Sequence, residues 1–222
     1  MIDVVKLTQA FGKKTVLDDV SLTVKANEVC ALVGRNGAGK STFISSLLGL
    51  IPVKTGTIRI NGKERKKNEP WKNEIAYLPE KFMLYPSLTG YENIMFFAKT
   101  TGTANEARIK EILTAVGLWK DKDAQVKSYS KGMLQRLGLA ITLYQDSGLI
   151  ILDEPTSGID PIGRKQILEI LKALNNKTIL LSSHHLDEIR QLCTHVAYLD
   201  EGKITKYSVE EFITLQHLGG ME

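Results

Sequence analysis

The sequence predicts an α/β protein with a mainly parallel core sheet and an inserted helical lobe. In the last third of the chain, short apolar runs alternate with amphipathic stretches of helical spacing. The middle of the chain has helical spacing and no convincing strand. Strands that alternate with helices pair in parallel through right-handed crossovers, so the first observation favours a mainly parallel sheet.

The first 60 residues favour short strands. The runs Val4-Val5, Val20–Val24 and Thr57–Ile60 alternate apolar and polar side chains, which predicts half-buried strands. Val29–Val33 is continuously apolar, as expected for a strand covered on both faces. A helix is predicted from about residue 40 to residue 50, because Pro52 follows as a stop signal.

The middle of the chain, about residues 86–144, favours helices. Thr89 with Glu92, and Thr103 with Glu106, have the spacing of capping boxes, which mark helix starts. The apolar residues that follow recur at helical spacing up to a glycine stop. They are Ile109, Ile112, Leu113 and Val116, followed by Gly117.

The α/β pattern returns after residue 148. Buried strands and amphipathic helices alternate there, and Ser208 with Glu211 has the spacing of a third capping box. The predicted elements are a strand at Leu149–Leu152, a helix at Pro161–Leu174, a strand at Thr178–Leu181, a helix at Leu186–Leu192 and a strand at Val196–Leu199.

Length and composition indicate one folded domain or two closely joined lobes. Of the 222 residues, 43% are hydrophobic and 24% are charged, as in ordinary globular proteins. The net charge of +4 is too small to argue for a nucleic-acid binder, and we expect no nucleic-acid partner. No secretory signal and no apolar stretch of about 18 residues is recognisable, so we expect a cytoplasmic protein.

One basic run and two cysteines have simple interpretations. The basic run follows the hairpin-turn signal Asn61-Gly62, which favours a solvated loop over a phosphate or lipid-headgroup patch. Cys30 and Cys193 lack metal-type spacing, so we expect two buried thiols. The basic residues are Lys63, Arg65, Lys66, Lys67 and Lys72.

A glycine-rich motif between a buried strand and a helix has the pattern of a phosphate-binding loop, G-x-x-x-x-G-K-S. The glycines let backbone N–H groups turn toward a polyphosphate, and the helix N-terminus adds partial positive charge. We expect Lys40 to reach the β- and γ-phosphates and the Ser41 hydroxyl to bind Mg²⁺. The loop residues are Gly34, Arg35, Asn36, Gly37, Ala38, Gly39, Lys40, Ser41 and Thr42. The motif alone leaves ATPase, GTPase and small-molecule kinase open.

Two adjacent acids end an apolar strand. Asp153 and Glu154 follow Leu149–Leu152, and strand carboxyl ends are where α/β sheets place their ligands. In a nucleotidase Asp153 would hold Mg²⁺ through water, and Glu154 would polarise the attacking water as general base. The alternative is a strand followed by a polar turn.

Further motifs resemble those of the nucleotide-binding subunits of ABC transporters, and the resemblance covers almost the whole chain. The segment Tyr129-Ser130-Lys131-Gly132-Met133 is similar to the family signature, whose commonest form is Leu-Ser-Gly-Gly-Gln. Lys131 and Met133 depart from that form. The resemblance implies that Ser130 and Gly132 bind the γ-phosphate of ATP held by a second subunit.

Four other positions carry the resemblance. Phe11 matches the aromatic residue that stacks on adenine, and His184 matches the switch histidine that contacts the γ-phosphate. Asp160 ends a segment that resembles the loop lining the joint between subunits. Glu80 stands where the family usually has a glutamine that contacts the metal or water and senses the transmembrane partner. The glutamate keeps a side-chain oxygen and adds a negative charge, but it lacks the N–H donor of the glutamine amide.

The resemblance implies a P-loop NTPase fold with an N-terminal antiparallel β subdomain and an inserted α-helical subdomain. Residues 1–222 would form a single ATPase domain, with residues 1–85 and 148–222 as the RecA-like core and β subdomain. About residues 86–147 would form the helical subdomain. The implied activity is hydrolysis of ATP with Mg²⁺.

The resemblance also implies partners. A second copy, or a paralogous subunit, would pair head to tail around two ATP molecules. A separately encoded membrane permease would hold the pair at the cytoplasmic face of the membrane. The forms Tyr-Leu-Pro-Glu and Tyr-Ser-Lys-Gly-Met most resemble the efflux branch with ABC-2-type permeases.

Four alternatives stay open. An importer ATPase would share these motifs, and so would a non-transport ABC ATPase acting in DNA repair or on ribosomes. Against the latter, the sequence lacks a long insertion and a second ATPase module. A regulatory ATP-binding module would be expected to lack Glu154 or Ser130, and a GTPase would carry a base-reading N-K-x-D motif, which is absent. No feature requires the phosphoacceptor pocket of a kinase.

Overall fold

The first sheet is antiparallel and half exposed. The structure is a computed structural model that describes residues 1–65, 74–102 and 104–217. Apolar side chains alternate along the first strands, so one face packs on the core and the other meets solvent. The strands are β1 (Ile2–Phe11), β2 (Lys14–Val24), β4 (Thr55–Ile60) and β5 (Lys63–Glu64), in the order β2-β1-β4-β5.

The second sheet is the core of the molecule. Its central strands are apolar on both faces and are almost completely buried. The strands are β3 (Val29–Val33), β6 (Ile75–Leu78), β7 (Leu149–Asp153), β8 (Thr178–Ser182), β9 (His195–Asp200) and β10 (Lys203–Ser208), in the order β10-β9-β3-β8-β7-β6. All pairings are parallel except that between β9 and β10, which confirms the predicted mainly parallel sheet.

Helices lie around this sheet and form the predicted lobe. The helices that follow strands of the second sheet are α1 (Lys40–Leu47), α5 (Pro161–Lys172), α6 (Leu186–Leu192) and α7 (Val209–His217). Between β6 and β7 lie α2 (Gly90–Thr100), α3 (Glu106–Ala115) and α4 (Lys131–Tyr144). These three helices have a hydrophobic cluster of their own, centred on Ile94, Ile109, Leu113 and Leu137.

Two of the three predicted capping boxes are present. The Thr89 hydroxyl accepts from the Glu92 N–H while Glu92 accepts from the Thr89 N–H, at the start of α2. Ser208 and Glu211 make the same reciprocal bonds before α7. Thr103 lies outside the described residues, and the side chain that caps α3 is Asn105, which accepts from the Arg108 N–H.

Several element bounds differ from those predicted. Helix α1 ends at Leu47, three residues early, because the chain turns through Gly49 in the left-handed region at φ 66°. Helix α5 ends at Lys172 instead of residue 174. Strand β1 extends well beyond Val4-Val5, and β6 and β10 were not predicted as strands.

The predictions for the basic run and for the two cysteines have different outcomes. Lys63 of the basic run is exposed and pairs with Glu74 at 3.0 Å, whereas Lys66, Lys67 and Lys72 lie outside the described residues. Cys30 is buried in β3, but Cys193, at the end of α6, is only partly buried. Burial raises the pKa of the Cys30 thiol to about 12, so it is a protonated core residue.

The parallel sheet gathers the site residues at one edge. Strands β3, β8 and β7 lie side by side, with Leu32 opposite Ser182 and Ser182 opposite Asp153. The carboxyl ends of these three strands therefore lie side by side at one edge of the sheet. No helix in the described part of the chain is long and apolar enough to cross a membrane.

Candidate functional site

A cleft of about 480 Å³ opens at this edge of the sheet. It brings together most of the residues that the sequence singled out, from five segments of the chain. Its lining is Phe11, Val16, Arg35, Asn36, Gly37, Gly39, Lys40, Ser41, Thr42, Glu80, Asp153, Glu154, Ser157 and His184. Phe11 is 53% exposed, so it is not a core phenylalanine.

The glycine-rich loop connects β3 to α1 with a backbone that needs its glycines. Gly39 has φ 112°, and a Cβ there would lie 2.9 Å from the Val16 side chain. A Cβ on Gly34 would overlap the Leu199 carbonyl oxygen. Crowding therefore excludes a side chain at Gly34, and crowding together with conformation excludes one at Gly39.

The loop and the start of α1 form a positively polarised surface. No side chain caps the first turn of α1, so its leading N–H groups have no side-chain partner. The Lys40 ammonium curls back over the loop and donates to the Gly34 carbonyl at 2.6 Å and to the Arg35 carbonyl at 3.4 Å. Free helix N–H groups beside a lysine are suited to bind phosphate groups.

One hydroxyl arranges the two acids. The Ser182 Oγ donates to Asp153 Oδ1 at 2.6 Å and accepts from the Glu154 backbone N–H at 2.8 Å. Glu154 has φ 50°, which is uncommon for a residue with a side chain and marks local strain. The strained turn, held by Ser182, aims the Glu154 side chain into the cleft, where it lines the wall beside Asp153.

His184 and Glu154 form a pair. His184 Nδ1 lies 2.9 Å from Glu154 Oε1, with the imidazole half exposed and the carboxyl 11% exposed. Burial raises the pKa of the Glu154 carboxyl above its ordinary value, and Asp153 and Glu80 act in the same direction. The positive charges of His184 and Lys40 lower that pKa and so oppose the shift. A carboxyl tuned in this way is suited to exchange protons with water.

Glu80 follows β6 and lies exposed at the rim of the cleft. Its charge also reaches Tyr77, whose pKa rises to about 12 through burial first and through Asp153 and Glu80 second. Asp153, Glu154 and Glu80 therefore make one wall of the cleft strongly negative, opposite the positive loop. A cation between the wall and a bound polyphosphate would relieve this repulsion.

Three predicted residues lie on a different surface. Ser130 is exposed and caps α4 by accepting from the Met133 N–H at 3.2 Å, and Gly132 lies in the first turn of that helix. Asp160 is exposed at the start of α5. None of the three lines the cleft that contains Lys40. Within one copy, therefore, the structure does not bring the signature segment to the phosphate loop.

Comparison with known proteins decides the family. The family model described as ABC transporter matches residues 17–157, which is more than half of the chain. This chain belongs to the ABC transporter family. Since the match spans the phosphate loop, the signature segment and both acids, the protein is an ATP-binding ATPase of that family.

Relatives of this ABC ATPase include transport proteins of bacteria. It is 38% identical over 210 residues to the linearmycin resistance ATP-binding protein LnrL of Bacillus subtilis (strain 168), covering 92% of this chain and 68% of LnrL. It is 38% identical over 206 residues to the lantibiotic transport ATP-binding protein SrtF of Streptococcus pyogenes, covering 92% of this chain and 89% of SrtF.

Solved structures support the fold of the ABC ATPase. The ATP-binding subunit of an ABC transporter superimposes with a TM-score of 0.84 at 30% identity, over 99% of this chain and 93% of that one. A dimeric ATP-binding cassette bound to ADP and Pi superimposes with a TM-score of 0.82 at 23% identity, over 94% of this chain and 99% of that one. At 23% identity, the second similarity supports the fold alone.

The residues of the ABC ATPase fit a magnesium nucleotide. Backbone N–H groups and Lys40 suit the phosphates, while the Ser41 hydroxyl and the Asp153 carboxylate are hard oxygen donors of the kind that Mg²⁺ prefers. Among the described residues there is no group of three His, Cys, Asp or Glu side chains that could hold a metal by themselves.

Sequence reasoning assigned no role to two groups that organise the site of the ABC ATPase. Ser182 orients both acids, and Glu188 is a fully buried carboxylate in α6. The signal for Ser182 is its position at the end of a strand that pairs with β7. The burial of Glu188 has no sequence signal, because its partner Thr156 lies 32 positions away in the chain.

We predict that Gly39→Ala lowers the affinity for ATP at least tenfold, since both the positive φ and the Val16 contact oppose a Cβ. Isothermal titration calorimetry with ATP checks this. The matched control is Gly62→Ala, because Gly62 also has a positive φ, 77°, but nothing lies within 4 Å of its Cβ position. Parental affinity in Gly39→Ala would contradict the role of the loop.

Proposed function

We propose that this ABC ATPase powers an efflux transporter whose permease is a separate chain, at the cytoplasmic face of the membrane. The observation that carries the ATPase part is the cleft in which the phosphate loop, the adjacent acids and His184 converge. LnrL and SrtF, which are named for resistance to linearmycin and for lantibiotic transport, support the efflux part. So does BcrA of Bacillus licheniformis, a bacitracin transport ATP-binding protein at 40% identity.

The proposed nucleotide position follows the lining of the cleft. Phe11 stacks on adenine, and the loop Gly34–Thr42 holds the phosphates through its N–H groups and Lys40. Ser41, Asp153 and Glu80 are the residues that would hold Mg²⁺. When bound, Mg²⁺ supplies neutralising charge to the β- and γ-phosphates. Residues 1–222 act as one ATPase domain, with residues 1–85 and 148–222 forming the core and about residues 86–147 forming the helical subdomain.

Hydrolysis uses the Glu154–His184 pair. Glu154 orients water for in-line attack and accepts its proton, which the raised pKa of the carboxyl favours. His184 and Lys40 stabilise the negative charge that develops on the γ-phosphate. Because His184 already lies 2.9 Å from Glu154, little reorganisation is needed to place both groups at the reacting phosphate.

A second copy completes the site. Ser130 and Gly132 lie at the exposed start of α4, away from the cleft of their own chain, and Asp160 is exposed at the start of α5. In the proposed head-to-tail pair these groups face the γ-phosphate bound by the twin, or by a paralogous subunit. Dimeric cassettes among the fold neighbours support this assembly. Closure depends on ATP because the γ-phosphate is the shared ligand.

The permease is proposed to dock beside Glu80, on the surface that faces the helical subdomain. A groove of about 500 Å³ runs between the segment after β6 and the start of α4, lined mostly by apolar residues. Met83 in this groove is 90% exposed, and the exposed Tyr85 packs edge-on against Phe96 at 4.8 Å between ring centroids. An exposed apolar surface of this kind is suited to a protein partner. Opening and closing of the pair would move the docked permease.

We predict that Glu154→Gln lowers kcat by about 10²- to 10⁴-fold, since the amide cannot accept a proton from water. ATP still binds, and the variant accumulates as a dimer with ATP and Mg²⁺. Size-exclusion chromatography and phosphate release check both outcomes. The control is Glu111→Gln, an exposed carboxylate on α3. A Glu154→Gln protein that hydrolyses ATP at the parental rate would remove Glu154 from its role.

We predict that kcat falls on acidification at a higher pH than an ordinary carboxyl would give, because only the Glu154 carboxylate is active and its pKa is raised. His184→Ala removes a positive charge that lowers this pKa, so the acid limb of the residual activity moves to higher pH. Rate profiles from pH 5 to 9 measure it, with His185→Ala as control. A limb that stays in place or moves to lower pH would contradict the assignment.

We predict that Met83→Glu abolishes co-purification with the permease while the ATPase rate of the isolated subunit stays within about twofold, because the side chain is nearly fully exposed. The test uses tagged subunit co-expressed with a permease reading frame that neighbours its gene. Thr214→Glu, which adds the same charge to the exposed face of α7, is the control. Undiminished capture by Met83→Glu would place the docking surface elsewhere.

A further inference from the structure

Glu188 is a charged side chain buried inside the fold next to the site. It lies in α6, four residues after His184, and its side chain is 1% exposed. A carboxylate loses its hydration on burial, so it persists there only where donors replace water. The partners of the Glu188 carboxylate show which segments of the chain this residue connects.

Two hydroxyl donors and one guanidinium, from three segments, surround the Glu188 carboxylate. The Thr156 hydroxyl donates to Oε1 at 2.6 Å, and the Ser183 hydroxyl donates to Oε2 at 2.8 Å. The Arg164 guanidinium forms an ion pair with Oε1, with Nε at 3.3 Å. Thr156 and Ser183 are each only 2% exposed, so water does not substitute for either hydroxyl.

Each of these three partners of Glu188 is adjacent to a part of the site. Thr156 lies two residues after Glu154, in the same strained turn. Ser183 directly precedes His184, and its oxygen also accepts from the His185 N–H at 3.1 Å. Arg164 lies in the first turn of α5, where its N–H donates to the carbonyl of Asp160.

We propose that Glu188 is a positioning residue that holds Glu154 against His184 by tying together the two segments that carry them. Through Arg164 it also ties the start of α5, where Asp160 faces the proposed second copy, to the same carboxylate. The proposal rests on the roles given above to Glu154 and His184. Loss of one hydroxyl would let the turn and the histidine loop drift apart, and sub-ångström placement governs such pairs.

The sharpest test compares two substitutions at Thr156. Thr156→Val keeps the shape and removes the hydroxyl, whereas Thr156→Ser keeps the hydroxyl. We expect kcat to fall about 10- to 100-fold in Thr156→Val with KM for ATP within about threefold, since the phosphate loop is untouched. Thr156→Ser should recover most of the rate. Thermal unfolding of both variants shows whether each is folded at the assay temperature.

Glu188→Gln provides an independent arm, because the amide keeps the volume but loses the charge paired with Arg164. Here too kcat should fall with little change in KM. The control is Glu169→Gln, which neutralises an exposed α5 carboxylate that pairs with Lys172. A merely structural role would lower the unfolding temperature of Glu188→Gln and Thr156→Val while leaving kcat per folded molecule within twofold of the parent, and that result would overturn the proposal.

A double-mutant cycle decides whether Glu188 acts through the pair. If it does, Thr156→Val lowers kcat less in a His184→Ala background than in the parent; fully additive losses would overturn the proposal. Failure of this proposal can be distinguished from failure of the proposed function. If Glu188→Gln and Thr156→Val have the parental kcat while Glu154→Gln is inactive, only the positioning role of Glu188 is contradicted. If Glu154→Gln hydrolyses ATP at the parental rate, the proposed function itself is contradicted.

Discussion

The parallel pairing of β3, β8 and β7 is the constraint on which the site depends. These strands are buried on both faces, so their register is fixed by apolar packing as well as by the hydrogen-bond ladder. Ser182 ends the middle strand and therefore reaches both Asp153 and the Glu154 N–H. A slip of one residue in β8 would turn this hydroxyl to the other face and leave the acids without a common partner.

The site has a negative wall and a positive wall, an arrangement that suits an anionic ligand bound together with a cation. Three carboxylates line one wall, and Lys40 with the N-terminus of α1 lines the other. The Lys40 ammonium donates to loop carbonyls and the His184 imidazole lies 2.9 Å from Glu154, so both groups have partners within the chain. Phosphates would compete for Lys40, so a group proposed to bind ATP also holds the loop in shape.

Much of the fold and of the site could be predicted from the sequence, for identifiable reasons. The phosphate loop and the Asp153-Glu154 pair are contiguous motifs, and buried strands such as β7 and β8 are plain apolar runs. Strands β6 and β10 were missed because one is four residues long and the other is only half buried. The role of Glu188 could not be predicted, since its contact with Thr156 spans 32 positions. In the sequence, Glu188 looks like an ordinary acid on the surface of a helix.

The departure from the family signature at Lys131 is accommodated by the neighbouring segment. The Lys131 ammonium lies against Gly158, at the position where any Cβ on residue 158 would overlap it. Gly158 is also in the left-handed region, at φ 64°, so both the conformation and the contact depend on the absence of a side chain. The signature helix and the segment leading to Asp160 are therefore fitted to each other, and the two surfaces proposed to meet a second copy cannot vary independently in this chain.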